Sequence, residues 1–174
     1  YLLKVFNDNV NLGLKEKKID LWLKEHKIPG FVSPEEKVYI DGIFKSYILE
    51  NIKDADAISM FIKKKHIKLM KVTNKDLVGL MLDASKKLEL LHKSNKIAGD
   101  ISENNIHIAF YIDNDSFGIG NLPADAYTDI YTDPNAYEKS GRVNMDKQTD
   151  MYAFAILTFK ILTRLHPFNG TYKK

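Results

Sequence analysis

The dipeptide Asp41-Gly42 lies between two β-prone runs, Lys37-Val38-Tyr39-Ile40 and Ile43-Phe44-Lys45-Ser46-Tyr47-Ile48-Leu49. Tight hairpin turns need residues that tolerate positive φ, and Asp-Gly between alternating apolar runs is among the strongest short-range signals for one. A lone hairpin is marginal in water, so another strand or a helix has to cover it. The preceding chain offers both. Tyr1-Leu2-Leu3-Lys4-Val5-Phe6 is apolar apart from Lys4 and reads as a strand that stops at Asn7-Asp8-Asn9. Residues 12–27 carry Leu12, Ile19, Trp22 and Leu23 at helical spacing, with Lys15 and Glu16 among them, and Pro29-Gly30 ends the helix.

From Asp56 onward the apolar period becomes helical. Ile58, Phe61 and Ile62 predict a short helix. Asn74 to Lys93 predicts a long amphipathic one, with Leu77, Leu80, Met81, Ala84, Leu88 and Leu91 on one stripe and Thr73 or Asn74 as cap. Two short β-like pieces follow, Ile106-His107-Ile108 and Ala109-Phe110-Tyr111-Ile112. Gly118 to Tyr137 mixes Gly, Pro, Asp and Tyr as a loop does. Lys147 to Arg164 is a strongly apolar helix that His166-Pro167 stops. The fold class is therefore α+β: a small antiparallel sheet with one helix, then a mainly helical part, joined by the polar link Glu50 to Asp56.

A chain of 174 residues with 44% hydrophobic and 28% charged residues is long enough to bury a core and excludes wholesale disorder. With no cysteine, disulfides, thiolate zinc sites and cysteine nucleophiles are excluded, and the cytoplasm is the expected compartment. No run is apolar enough to predict a membrane span, so no membrane partner is expected. The net charge of +3 comes with Arg142 and Arg164 as the only arginines. Base readout and phosphate clamps lean on arginine forks, so no nucleic-acid partner is expected either. Lys63-Lys64-Lys65 reads as solvated helix surface.

The chemistry concentrates between residues 90 and 118. A helix ends near Lys93, a short loop presents Asp100, and Asn105 follows five residues later. A carboxylate there can orient a hydroxyl and accept its proton, and an amide oxygen beside it can bind magnesium. Asp-x-x-x-x-Asn alone is also what an ordinary surface loop looks like. Tyr111-Ile112-Asp113-Asn114-Asp115-Ser116-Phe117-Gly118 then sets an acid directly after a β-run.

In this order the segments resemble those of protein kinases. Asp100 to Asn105 resembles the catalytic loop, and Asp113, with Asp115 as the alternative or supporting acid, resembles the magnesium-binding segment. Leu3-Lys4-Val5 resembles the lysine-bearing strand, and Glu16 stands where the family's helix glutamate pairs with that lysine. Ser46 to Ile52 resembles the last small-lobe strand running into the hinge, with Leu49 behind the adenine pocket and Glu50 and Ile52 offering backbone hydrogen bonds. Tyr131-Thr132-Asp133-Pro134 resembles the end of an activation segment. Asp150, in Thr149-Asp150-Met151-Tyr152-Ala153-Phe154-Ala155, resembles the buried acid that braces the catalytic loop. Gly99-Asp100, Ile112-Asp113-x-Asp115-Ser116-Phe117 and His166-Pro167-Phe168-x-Gly170 bring the chain closest to a bacterial branch, the helix-hairpin-helix type kinases.

The resemblance implies a two-lobed kinase-like fold, with a partial small lobe over 1–50, a hinge over 51–55 and a partial large lobe over 56–174. It implies ATP-dependent phosphoryl transfer to Ser or Thr hydroxyls of a protein substrate, with ATP and Mg2+ as cofactors. Lys4, fixed by Glu16, would grip the phosphates; Asp100 would orient the nucleophile; Asn105 and Asp113 would hold the metal. Two departures favour an alternative, a pseudokinase or nucleotide-binding scaffold: no glycine-rich loop precedes Lys4, and Ser102 replaces a common lysine. Asn135 also replaces a glutamate, and Gly99 stands in place of the arginine that reads an activation-segment phosphate, so phosphate is not the expected on-switch. One further expectation concerns spacing. Ile106 to Ile112 shows no turn residue, and one straight strand at roughly 3.3 Å per residue would carry Asp113 about 26 Å from Asn105. Two ligands of one ion cannot be that far apart, so residues are expected to be missing between Ile108 and Ala109.

Overall fold

The computed structural model describes residues 1–7, 9–53 and 55–168. Strands β1 (Leu2–Val5), β2 (Pro34–Ile40) and β3 (Ile43–Leu49) form an antiparallel sheet in the order β1-β3-β2. Leu2 pairs with Leu49 and Val5 with Ser46. Asp41 and Gly42 join β2 to β3 with φ of 51° and 77°, the left-handed values that this pair supplies cheaply.

Helix α1 (Leu12–Lys24) starts at Asn11, whose side chain accepts from the Leu14 amide, and lies against the sheet. Its inner face divides between two cores. Ile19 packs with Phe6, Phe44 and Tyr47 beneath the sheet, whereas Trp22 belongs to the larger helical core.

That larger core sits between α3 (Asn74–Lys93) and α4 (Lys147–Thr163), with the seven-residue α2 (Lys64–Met70) at one side. Five of the six residues in the predicted stripe of α3 are buried, Leu77, Met81, Ala84, Leu88 and Leu91, and Leu80 is partly buried against them. Complete burial of side chains such as Leu88 and Leu91 contributes about 1.5–3 kcal/mol each. Both long helices open with capping boxes, Thr73 with Asp76 and Asp146 with Thr149. Lys63, Lys64 and Lys65 are exposed at the start of α2.

The segment between Asn105 and Asp113 corrects the spacing expectation. It is a closed hairpin of β4 (Ile106–His107) and β5 (Phe110–Tyr111), with Ile106 opposite Tyr111 and His107 opposite Phe110. Ile108 and Ala109 make the turn, and Ala109 takes φ 68° without being Gly, Asn or Asp. A left-handed non-glycine residue costs roughly 1–2 kcal/mol. The flanks supply the compensation. Tyr111 N donates to Gly30 O at 2.7 Å, Val32 N to Tyr111 O at 3.0 Å and Ile108 N to Asp56 O at 2.9 Å. No inserted residues are needed, because Ile112 N donates to Asn105 O at 3.0 Å and closes the hairpin base.

Residues 118–137 carry no α-helix, only 3-10 turns at Asp129–Tyr131 and Pro134–Ala136. His166 Nε2 contacts Ile130 O at 2.8 Å; Asn169 and Gly170 of the motif lie outside the described residues. No helix among the described residues is long and apolar enough to cross a membrane.

Candidate functional site

The loop before β4 is held from below. Asp150, fully buried near the start of α4, accepts from Ala98 N and Gly99 N at 2.8 Å each, and its Oδ2 lies 2.8 Å from His92 Nε2. Successive amides aimed at one carboxylate fix the turn that presents Asp100. Gly99 has φ 76°, and a Cβ there would stand 2.6 Å from the Ala124 Cβ, so the turn admits glycine alone without rearrangement.

Asp100 has both carboxylate oxygens engaged. Asn105 Nδ2 donates to Oδ2 at 2.8 Å and to the Asp100 carbonyl at 3.0 Å, while Thr128 Oγ1 donates to Oδ1 at 2.6 Å. The Thr128 contact has no signature in local sequence, since the two residues meet only through the fold.

Lys4 projects from β1 onto the segment after β5, where its ammonium pairs with Asp113 and Asp115. The two acids differ. Asp115 is buried and saturated, accepting from Lys4 and from Tyr47 OH at 2.7 Å, with Lys15 Nζ at 3.1 Å. Burial pushes its carboxyl up, yet the Lys4 and Lys15 ammonium groups outweigh burial and hold it below the ordinary carboxylate range. Burial likewise lowers the Lys4 ammonium, but Asp115 and Asp113 more than reverse this and raise it. Asp113 sits at φ 72° with its side chain 36% exposed.

Glu16 does not pair with Lys4, which corrects that expectation. Tyr39 OH donates to Glu16 Oε1 at 2.6 Å and Lys37 Nζ lies 3.3 Å from it, on the outer side of the sheet–helix seam. The reason is helical phase. The buried positions of α1 are 15, 18, 19 and 22, and one step of about 100° turns residue 16 away from them. Lys15 faces the site instead.

Between the sheet and the β4–β5 hairpin lies a cleft of about 320 Å³ whose walls include Leu3, Lys4, Leu49, Glu50, Ile52 and Asp113. Five residues singled out from sequence thus meet in one cavity. Asp100 and Asn105 line no part of it, but Asn105 joins its floor through the 3.0 Å bond to Ile112. Asp113 offers a carboxylate of the kind a hard divalent cation takes, and Asn105 keeps a spare amide oxygen when its Nδ2 binds Asp100. No group of three or more acids or histidines placed to hold a metal occurs among the described residues.

No family model and no curated protein matches the sequence. Among solved structures, the chain is similar to the Cydia pomonella granulovirus kinase PK-1, with a TM-score of 0.68 at 18% identity. The similarity covers 97% of this chain and 61% of that one, so this chain spans under two thirds of its neighbour's length. At such identity the likeness speaks for architecture, and it agrees with the sheet, helices and cleft described above: the chain has an α+β, protein kinase-like fold.

Proposed function

We propose that this chain carries the nucleotide-binding and phosphoryl-transfer core of a protein kinase, acting on Ser or Thr hydroxyls of a protein substrate. A single observation supports this most: one cleft brings Lys4 and Asp113 together with Leu49, Glu50 and Ile52. A nucleoside triphosphate asks for both kinds of lining, charged groups for its phosphates and apolar side chains with free backbone groups for its base. In this reading residues 1–50 form the small lobe, 51–55 the hinge and 56–174 the large lobe. Adenine takes backbone hydrogen bonds at Glu50 and Ile52, with Leu49 behind it. Lys4 neutralises phosphate charge, and Asp100 orients the attacking hydroxyl. Asp113 is the metal ligand together with Asn105, because Asp115 has spent its oxygens on Lys4, Lys15 and Tyr47. When bound, Mg2+ supplies positive charge that stabilises the transferring phosphoryl group. The motif set keeps the helix-hairpin-helix, bacterial type within the proposal, and the absence of cysteine extends it to the cytoplasm.

Calorimetric titration tests the reading. Wild type should bind Mg-ATP, and Lys4→Ala and Asp113→Asn should each lose at least tenfold in magnesium-dependent affinity while adenosine binding survives. Unchanged magnesium-dependent affinity in both variants would remove the site. One observation favours a scaffold reading instead. Ser102, buried in the catalytic loop, offers no cation to a γ-phosphate. Tight Mg-ATP binding with no phosphate transferred to any protein acceptor, in a chain with its flanking segments, would decide for the scaffold.

A further inference from the structure

Three side chains on one stripe of α1 reach the short turn that follows Asp113. Trp22 Nε1 donates to the Asn114 carbonyl at 2.9 Å, Lys15 Nζ to the Asp115 carbonyl at 3.1 Å and Lys18 Nζ to the Ser116 carbonyl at 3.2 Å. Positions 15, 18 and 22 follow the i, i+3, i+7 spacing of a single helix face. Three consecutive carbonyls are therefore each taken by a different residue of one helix.

The two ammonium groups also bridge acids. Lys15 lies 3.1 Å from Asp115 Oδ2 and 3.0 Å from Asp125 Oδ1, and Lys18 lies 3.1 Å from the same Asp125 oxygen. Lys15 is 8% exposed and Lys18 is fully buried. Lysines are almost never buried so completely, because desolvating an ammonium is unfavourable unless charge and hydrogen bonds compensate. Packing alone would be served better by leucine or methionine. What the lysines add is direction, since each donates to a carbonyl and a carboxylate together. The peptides they orient begin two residues after Asp113, which lines the cleft with its backbone in the left-handed region.

We propose that Lys15 and Lys18 are positioning residues for Asp113. Helix α1 sets the direction of that acid through lysine-to-carbonyl bonds, with Asp125 as the fixed counter-charge, and not through a Glu16–Lys4 pair. Asp125 belongs to the segment after Gly118, so the same bridge ties that segment to α1 with a carboxylate already built into the chain. The inference rests on the cleft being a magnesium–nucleotide site, and its test is built to fail separately from that reading.

The experiment compares Lys15→Met, Lys15→Arg and Glu16→Gln in the full chain; Lys15 is chosen because fully buried Lys18 risks the fold. The first readout needs no ligand. The amides of Ser116 and Phe117 are hydrogen-bonded within the turn, to Asp113 O and Asn114 O, and that of Gly118 to Ile97 O. Their hydrogen exchange should quicken at least tenfold in Lys15→Met, stay within twofold of wild type in Glu16→Gln, and largely recover in Lys15→Arg. The second readout is a Mg2+ titration at fixed ADP alongside an adenosine titration. Lys15→Met should weaken the magnesium dependence at least tenfold and leave adenosine affinity within twofold. Exchange unchanged in Lys15→Met would overturn the proposal. So would faster exchange with unaltered magnesium dependence, or an equal loss of adenosine affinity, since either describes a packing role. If wild type binds no magnesium–nucleotide, the proposed function falls, and the exchange data still decide whether Lys15 orders the turn.

Discussion

Gly99 shows how much one position can settle. Its φ of 76° and the 2.6 Å and 2.9 Å approaches that a Cβ would make to Ala124 and the Met145 sulfur leave no room for any larger residue. Gly99→Ala should cost about 1–3 kcal/mol through backbone strain and displaced neighbours, read as a lowered urea midpoint. A loss under about 0.5 kcal/mol would mean that the turn is softer than its contacts imply. The same glycine bears on regulation. With no arginine beside Asp100, a phosphate on the following segment has no bidentate partner there. Thr128 already gives its hydroxyl hydrogen to Asp100, so a phosphate on that oxygen would set like charges against each other. Thr128→Glu should therefore lower phosphoryl transfer in a chain with its flanking segments, and an increase would contradict the site as drawn.

At the scale of elements, the β4–β5 hairpin and α1 mark where sequence reasoning held and where it stopped. The α3 stripe and the Asp41-Gly42 turn were legible because apolar spacing and φ preference are local properties. Ala109 was not. Turn chemistry asks for Gly or Asn, and only the tertiary bonds at Gly30, Val32 and Asp56 explain why alanine suffices. If so, the alanine is strained, and Ala109→Gly should raise stability by about 1 kcal/mol in urea unfolding without moving the hairpin. A destabilised variant would show that the left-handed turn carries no strain worth relieving. Helix α1 was legible as a helix but not in phase. Lys15, Glu16, Lys17 and Lys18 are all charged, and hydrophobic periodicity cannot say which charged residue points inward. The family resemblance points to Glu16 as the partner of Lys4, while Lys15, Lys18, Asp125 and Tyr47 are visible only once the fold gathers them around the turn that holds Asp115.

Across the whole molecule, ion pairs tie distant segments together, and they give the fold a pH signature. Asp115 joins the sheet, α1 and the segment after β5. Glu103 joins the loop before β4 to α4 through Lys160 Nζ at 2.6 Å, and Tyr131 OH donates to the same carboxylate. Burial pushes the Glu103 carboxyl up, but the Lys160 and Tyr131 hydrogen bonds outweigh it and leave it below the ordinary range, as Asp115 is. Both acids thus release their protons more readily in the folded chain than in the unfolded one, where Asp and Glu titrate at about 3.9 and 4.3. Below those values the unfolded state binds more protons, so stability falls as pH falls; above about pH 5 these two groups contribute fully and the curve is flat. Glu103→Gln should cost about 2 kcal/mol at pH 7, where a charge-assisted pair is lost and Lys160 is left half-buried. Below about 4.3 the unfolded chain takes up the proton that folded Glu103 holds off, so the gap between the two proteins should narrow as pH falls. Urea midpoints measured from pH 7 to pH 3 on both proteins give that gap directly. If it stays constant across the range, the Glu103 carboxylate is not what couples the loop before β4 to α4, and the acid limb of the stability curve has to come from Asp115 and the other carboxylates held below their ordinary range.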